Sequence, residues 1–171
     1  AALVEAGVYP RPVQSRLPIW LAIGGTPASV VRAGRLGLNA YFAILGEPAR
    51  FAPLAQLYRQ ALTEHGFAPS EHQLGVTSHF HIGTNSQDAR DEFYPYYSRY
   101  MGTNMPGNRG GLLTRDAFEH WAQPTGALFA GSVQQAVEKI LWEHEVLGHT
   151  RFLAQVGLGG LPFAQTARSL E

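Results

Sequence analysis

The chain has 171 residues, of which 45% are hydrophobic and 15% are charged, so it can bury a core but is shorter than the roughly 250 residues of a complete eight-unit barrel. Thirteen Lys and Arg balance 13 Asp and Glu, which excludes the strongly basic surface that a nucleic-acid partner would need. Without cysteine, disulfides and thiolate sites are also excluded. No apolar run approaches the ~18 residues of a membrane span, and the chain opens with neither a signal peptide nor an initiator methionine. We therefore expect a piece of a longer cytoplasmic protein.

The first half of the chain alternates strand and helix patterns. A proline-rich opening leads to a continuously apolar run, which is typical of a strand buried on both faces. Thr26 and Pro27 then suit the N-cap and first position of a helix. The predicted elements are a strand at 18–23, a helix at 26–36, a strand at 38–45 and a helix at 48–65.

The second half continues the alternation. Its predicted elements are a strand at 74–82, a helix from 85 to about 100 that Pro95 should kink or shorten, a helix at 132–147, a strand at 151–156 and a short helix after Pro162. Ser132 and Gln135 have the spacing of a capping box. Residues 102–126 contain five glycines and are predicted to form a long loop or lid.

Four successive strand-helix units predict a parallel sheet with right-handed crossovers, either doubly wound or closed as a barrel. In both architectures ligands bind beyond the carboxyl ends of the strands. The turns that follow the four strands should therefore share one functional face.

The turn after the first strand, Gly24 to Ser29, carries two glycines and a hydroxyl at a helix start. Glycine allows close approach to the backbone, and free N–H groups at a helix N-terminus favour an anion, so phosphate binding is one interpretation. The other is an ordinary turn in which Thr26 only caps the helix. Dinucleotide and P-loop fingerprints are both absent from the sequence.

Two other clusters contain chemically active or aromatic side chains. His79 and His81 share one face of a strand and could serve as two ligands of a metal-dependent hydrolase, although two histidines make an incomplete zinc site. Packed, hydrogen-bonded histidines are the commoner outcome. The aromatic run at 93–100 is more typical of a core or subunit interface than of a substrate pocket.

Taken in order, several stretches resemble the C-terminal half of bacterial-luciferase-like, flavin-dependent monooxygenases. The matching stretches are 9–14, 18–29, 32–37, 90–95, 131–135 and 155–162. One departure is Val133, where the family usually has proline. The resemblance implies an α/β fold consisting of four βα units, strands five to eight of a (β/α)8 TIM-type barrel, with 102–126 as the mobile loop.

The resemblance also implies a site and a reaction. It assigns cofactor binding to six residues: Gly24, Gly25, Thr26, Ser29, Ile44 and Gln155. The implied cofactor is reduced FMN, used with O2 on a small organic substrate and supplied by a flavin reductase; a deazaflavin is the alternative.

The family's catalytic histidine lies in the other half of the barrel, so no catalytic residue is assigned and the chain alone is expected to be inactive. Its two unpaired sheet edges predict a homodimer. The alternative that is not an enzyme is a non-catalytic binding or assembly module.

Overall fold

The computed structural model describes residue 7 and residues 9–15, 17–104 and 111–171. Within these ranges the chain forms a five-stranded parallel sheet and six α-helices. In chain order they are β1 (Trp20–Ile23), α1 (Pro27–Arg35), β2 (Asn39–Ala43), α2 (Ala52–Glu64), β3 (Leu74–Gly83), α3 (Ser86–Asn104), α4 (Arg115–Trp121), β4 (Phe129–Ser132), α5 (Val133–Leu147), β5 (Arg151–Gln155) and α6 (Phe163–Arg168).

Local sequence explains where the helices begin and end. Ser132 accepts a hydrogen bond from the Gln135 main chain at 3.3 Å, and the Gln135 side chain accepts one from the Ser132 main chain, which confirms the predicted capping box. At its other end α5 stops at Gly148, whose φ of 63° is left-handed. A short 3-10 turn at Pro48–Phe51 precedes α2, so the predicted helix at 48–65 is present in two parts.

The sheet has β3 at its centre. The N-terminal half of β3 pairs with β2 on one side and with β5 on the other, β2 pairs in turn with β1, and β4 pairs with the C-terminal half of β3. Every one of these pairings is parallel, as the strand-helix alternation predicts. All four predicted strands are present.

Three predictions need correction. β4 was not predicted, because its four residues run directly into the cap of α5 and read as part of a helix start. α3 continues for 19 residues through the exposed Pro95, which does not shorten it. The predicted loop at 102–126 is helical at 102–104 and across α4, while 105–110 lie outside the described residues.

The helix-covered face of the sheet carries most of the core. Its residues from β1, β2 and β3 alternate along the strands and pack on α1 and α2; they include Ile23, Phe42, Ile44, Leu74 and Val76. Burying each such side chain contributes roughly 1.5–3 kcal/mol. This face anchors the strands whose ends form the candidate site.

The opposite face of β1, β2 and β5 is open. Ala22 and Leu153 are exposed there, so the prediction that the first strand is buried on both faces is wrong: helices cover only one of them. The Arg151 guanidinium lies 5.0 Å from the centre of the Trp20 ring, although β2 and β3 separate their strands. A contact of this kind fits a curved sheet. The two side chains partly fill the concave side near the amino-terminal ends of the strands.

No helix in the described ranges is long and apolar enough to cross a membrane.

Candidate functional site

The turn between β1 and α1 presents unused polar groups to open space. Gly25 has a φ of +108°, which favours glycine, and a Cβ built at Gly24 would meet nothing within 4 Å. Thr26 is exposed and its side chain makes no capping hydrogen bond. The N–H groups of Ser29 and Val30 bond to the Thr26 carbonyl at 3.0 and 3.3 Å. Pro27 has no N–H, so the N–H groups of Gly25, Thr26 and Ala28, together with the Thr26 hydroxyl, remain available to an external acceptor.

The charge around this turn also suits an anion. The first turn of α1 contains no acidic residue, and its basic residues, Arg32 and Arg35, lie in the last turn. The helix has nine residues, enough for the positive end of its dipole to contribute. Gly24, Gly25, Thr26 and Ser29 are thus brought together as one cradle that a phosphate group would fit.

The remaining two candidate residues lie at the ends of other strands. Gln155 ends β5 and is exposed at the same end of the sheet. Three strand spacings separate β1 from β5, roughly 14 Å along the sheet. The curvature that brings Arg151 against Trp20 shortens this separation through space, and an elongated ligand with a phosphate at one end could contact both the turn and Gln155.

Ile44 differs from the other candidates. Its side chain is 1% exposed and belongs to the core on the helix side, so it does not face the open side of the sheet. Its neighbour Leu45 is 54% exposed. Ile44 could therefore contact a cofactor only through its main chain at the strand end, and its place in the site stays a prediction.

Sequence reasoning missed the side chains that line the concave face. Three of them, Ala43, Thr77 and Leu153, are aligned across neighbouring strands. Tyr41 lies on the same face, two residues before Ala43 on β2. Gly75 keeps this surface low: a Cβ there would lie 3.2 Å from the Trp20 ring. Side chains alternate between the two faces of a strand, so this rule could have identified these residues. The apolar runs are continuous, however, and do not show which alternate residues face the concave side.

His79 and His81 are packed and hydrogen-bonded, the commoner of the two outcomes weighed from the sequence. The Nδ1 atom of His79 lies 2.8 Å from the Tyr97 hydroxyl, and burial lowers the pKa of His79 to about 4. His81 Nε2 lies 3.1 Å from a Glu92 oxygen, and burial lowers its pKa against the opposing effect of Glu92. Both rings are neutral near pH 7 and support α3 on the sheet.

The aromatic run of α3 forms a second core. Phe93 and Tyr97 are buried at 0% and 2% exposure and pack around Phe118 of α4, which confirms the core interpretation. The described part of the predicted lid is anchored to this core: the Leu113 carbonyl accepts hydrogen bonds from Ser98 at 2.6 Å and Tyr94 at 3.0 Å. A covering role for this segment stays a prediction.

Comparisons with known proteins place the chain in a family. The family model for luciferase-like monooxygenases matches residues 2–150. No curated protein matches the chain.

Solved structures share the fold at low identity. The monooxygenase RslO1 from Streptomyces bottropensis is 23% identical with a TM-score of 0.73, covering 95% of this chain and 48% of its own. A coenzyme F420 dependent tetrahydromethanopterin reductase from Methanopyrus kandleri is 17% identical with a TM-score of 0.59, covering 80% and 44%. The oxygenating constituent of 3,6-diketocamphane monooxygenase from Pseudomonas putida, in complex with FMN, is 16% identical with a TM-score of 0.53, covering 79% and 40%.

The chain spans about half or less of the length of these proteins. Their fold agrees with a parallel sheet of βα units that corresponds to part of a barrel. Since the family model covers most of the sequence, the chain belongs to the luciferase-like monooxygenase family.

Proposed function

We propose that this chain is the cofactor-phosphate half of a flavin-dependent monooxygenase barrel that acts with O2 on a small organic substrate. The observation that carries the proposal is the cradle at Gly24 to Ser29, where open space beside Gly24, a free Thr26 hydroxyl and the unpaired N–H groups of Gly25, Thr26 and Ala28 lie together. Family membership supports the terminal phosphate of a flavin as the ligand of this cradle.

Each part of the chain has a separate role in this proposal. The Thr26 hydroxyl and the N–H groups of Gly25, Thr26 and Ala28 hold the phosphate. Gln155 presents an amide to the far end of the cofactor, and Ala43, Thr77 and Leu153 form a floor that excludes water. Bound reduced flavin supplies the oxygen chemistry. The reacting groups of the protein are proposed to lie on the complementary half of the barrel, so that the chain alone is inactive and depends on a reductase for reduced flavin.

A deazaflavin is the second candidate cofactor. Related structures are named for FMN in one case and for coenzyme F420 in another. Both cofactors place a phosphate at the end of a ribityl-type chain, and the cradle would accept either. The bound ring determines whether oxygen or hydride chemistry follows, and competition between the two cofactors for the same site distinguishes them.

Replacing Thr26 with alanine is expected to weaken FMN binding roughly tenfold, because a hydrogen bond to a charged group is worth roughly 1.5–3 kcal/mol and part of that is lost to solvent. Flavin fluorescence, followed during titration of oxidised and reduced FMN, measures the dissociation constant. Thr63→Ala is the matched control, since Thr63 bonds within its own helix at 3.1 Å to Arg59. Equal affinity of both variants and the unchanged chain would remove Thr26 from the site.

We further propose that two copies associate through their open concave faces and edge strands. The exposed Ala22 and Leu153, with unpaired edges on β1 and β5, leave apolar surface and main-chain groups uncovered. Sedimentation equilibrium at micromolar concentration should give twice the 18.7 kDa mass of one chain. A mass of one chain would refute the dimer.

A further inference from the structure

The only lysine of the sequence, Lys139, is buried on α5 rather than displayed on the surface. It is one residue among 13 Lys and Arg, and it is 5% exposed. Its Nζ atom donates hydrogen bonds to the carbonyls of Gln123 and Leu128, both at 2.8 Å. An ammonium group has three donors. Among the described residues, the third N–H of Lys139 therefore has no hydrogen-bond acceptor.

A cavity of about 230 Å³ lies beside this side chain. Phe129, Ala136 and Leu128 give it apolar walls, and the indole of Trp142 also lines it. No lining residue comes from β1, α1 or β2, so the cavity is separate from the proposed phosphate cradle. An apolar cavity of about 150 Å³ is enough to bind benzene. The space therefore suits a small ring or a short branched chain.

Two basic side chains, Lys139 and Arg90, line the cavity. Arg90 is held by Glu119 at 3.1 Å and by the Ala130 carbonyl at 3.1 Å. The one acidic residue among its lining residues, Glu138, is exposed. No ion pair joins Lys139 to an acid within the described ranges. The Nζ atom lies 4.9 Å from the centre of the Phe129 ring, and this cation–π contact offsets only part of the cost of burying the charge.

Glu143, one turn further along α5, favours the charged form of the lysine but makes no hydrogen bond or ion pair with it in the described part of the chain. Neither of its carboxyl oxygens has a hydrogen-bond partner in the described part of the chain. Burial lowers the pKa of Lys139 to about 7, with Glu143 opposing this change and Arg90 adding to it. Arginine, the residue used at every other basic position, could not release its proton in this place.

Two kinds of ligand could use the amine, and their hydrogen bonding separates them. A carbonyl compound captured as an imine would replace N–H bonds by a C=N bond and release water. The carbonyl of Gln123 or Leu128 would then lose its hydrogen-bond donor. A carboxylate would accept the third N–H and leave both bonds intact. We propose that the cavity binds a small organic acid whose carboxylate pairs with Lys139 and whose apolar body packs against Phe129 and Ala136.

The proposal does not depend on flavin binding. It implies that the acid binds the ammonium form, so that binding above neutral pH takes up a proton. The other charged groups near the lysine are Arg90, Glu119, Glu138 and Glu143, and Glu119 is already committed to Arg90. An upward shift of the Lys139 titration by about one pH unit corresponds to a tenfold preference for the charged amine.

Because Lys139 is the only lysine, labelling lysine with ¹³C gives a single side-chain methylene signal next to the amine. Sodium benzoate is the probe, and benzamide, equal in shape but uncharged, is the matched control. We expect benzoate to shift this signal saturably and to raise its titration midpoint, and benzamide to do neither. An unmoved lysine signal at high benzoate concentration, or equal shifts with benzamide, would overturn the proposal.

Two variants sharpen the test. Lys139→Met keeps an apolar stem without donors and should weaken benzoate binding roughly 10- to 100-fold by calorimetry. Ala136→Leu, one turn before the lysine on the same helix, should fill part of the cavity and weaken benzoate binding while leaving the lysine in place. If Lys139→Met fails to fold, the lysine signal of the unchanged chain still decides. Unchanged benzoate affinity in a folded Lys139→Met variant would contradict the assignment.

Discussion

Replacing Phe93 with alanine is expected to lower the free energy of unfolding by about 3–5 kcal/mol. Phe93 is 0% exposed and its ring lies 4.9 Å from the His81 ring and 5.1 Å from the Tyr97 ring, joining α3 to β3. Truncation removes this burial and leaves a cavity that the surrounding rings can fill only in part. Urea unfolding followed by circular dichroism measures the change.

The chain supplies a matched control in Phe163, which is 85% exposed at the start of α6. The same chemical change there, Phe163→Ala, should alter the free energy of unfolding by no more than about 0.5 kcal/mol. Similar losses in both variants would contradict the assignment of Phe93 to the second core. Faster hydrogen exchange at the His79 and His81 amides in Phe93→Ala, but not in Phe163→Ala, would support the role of Phe93 in packing α3 against β3.

Glu143→Gln is expected to remove a pH-dependent loss of stability. Glu143 is 0% exposed, and burial raises its pKa from 4.5 to about 7, with Lys139 opposing the shift. A raised folded-state pKa means that the contribution is fully present below pH 4.5 and is lost as pH rises to 7. The loss at neutral pH and above is about 3 kcal/mol, at about 1.4 kcal/mol for each pH unit of difference.

Urea unfolding at several values of pH between 4.5 and 8 measures this effect. The unchanged chain should lose stability relative to Glu143→Gln across that interval. Glu145→Gln, at an exposed position on the same helix, should follow the unchanged chain. Parallel stability curves for the unchanged chain and Glu143→Gln would mean that Glu143 has no raised pKa in the folded state.

The order of elements could be predicted from the sequence because each boundary has a local cause. The Ser132 and Gln135 cap, the left-handed Gly148 and the stop at Gly66 depend only on neighbouring residues. β4 escaped prediction because four residues carry too little periodicity, and only pairing with β3 makes them a strand. The effect of Pro95 on helix length was overestimated. Its ring is exposed, and the packing of the buried neighbours Phe93 and Tyr97 holds the helix together on either side of it.

The sequence predicts the part of the candidate site that is continuous along the chain. It does not predict the part that is assembled from separate strands. Gly24 to Ser29 form a continuous turn, so the sequence alone brings these residues together. Strand position alone does not state which face a side chain takes, and the parity of Ile44 places its side chain in the core. Thr77 and Leu153 become neighbours only through the sheet order, and the buried Lys139 has a partner set assembled from a distant turn.

The most direct test of a flavin-phosphate site on this chain is an amide NMR titration with FMN and, separately, riboflavin. FMN and riboflavin differ only in the phosphate, so the signals of groups that contact it respond to one compound and not the other. The N–H signals of Gly25, Thr26 and Ala28 should shift saturably with FMN and remain nearly unchanged with riboflavin. Equal shifts with both compounds, or FMN-induced shifts confined to other parts of the chain, would contradict the proposed phosphate cradle.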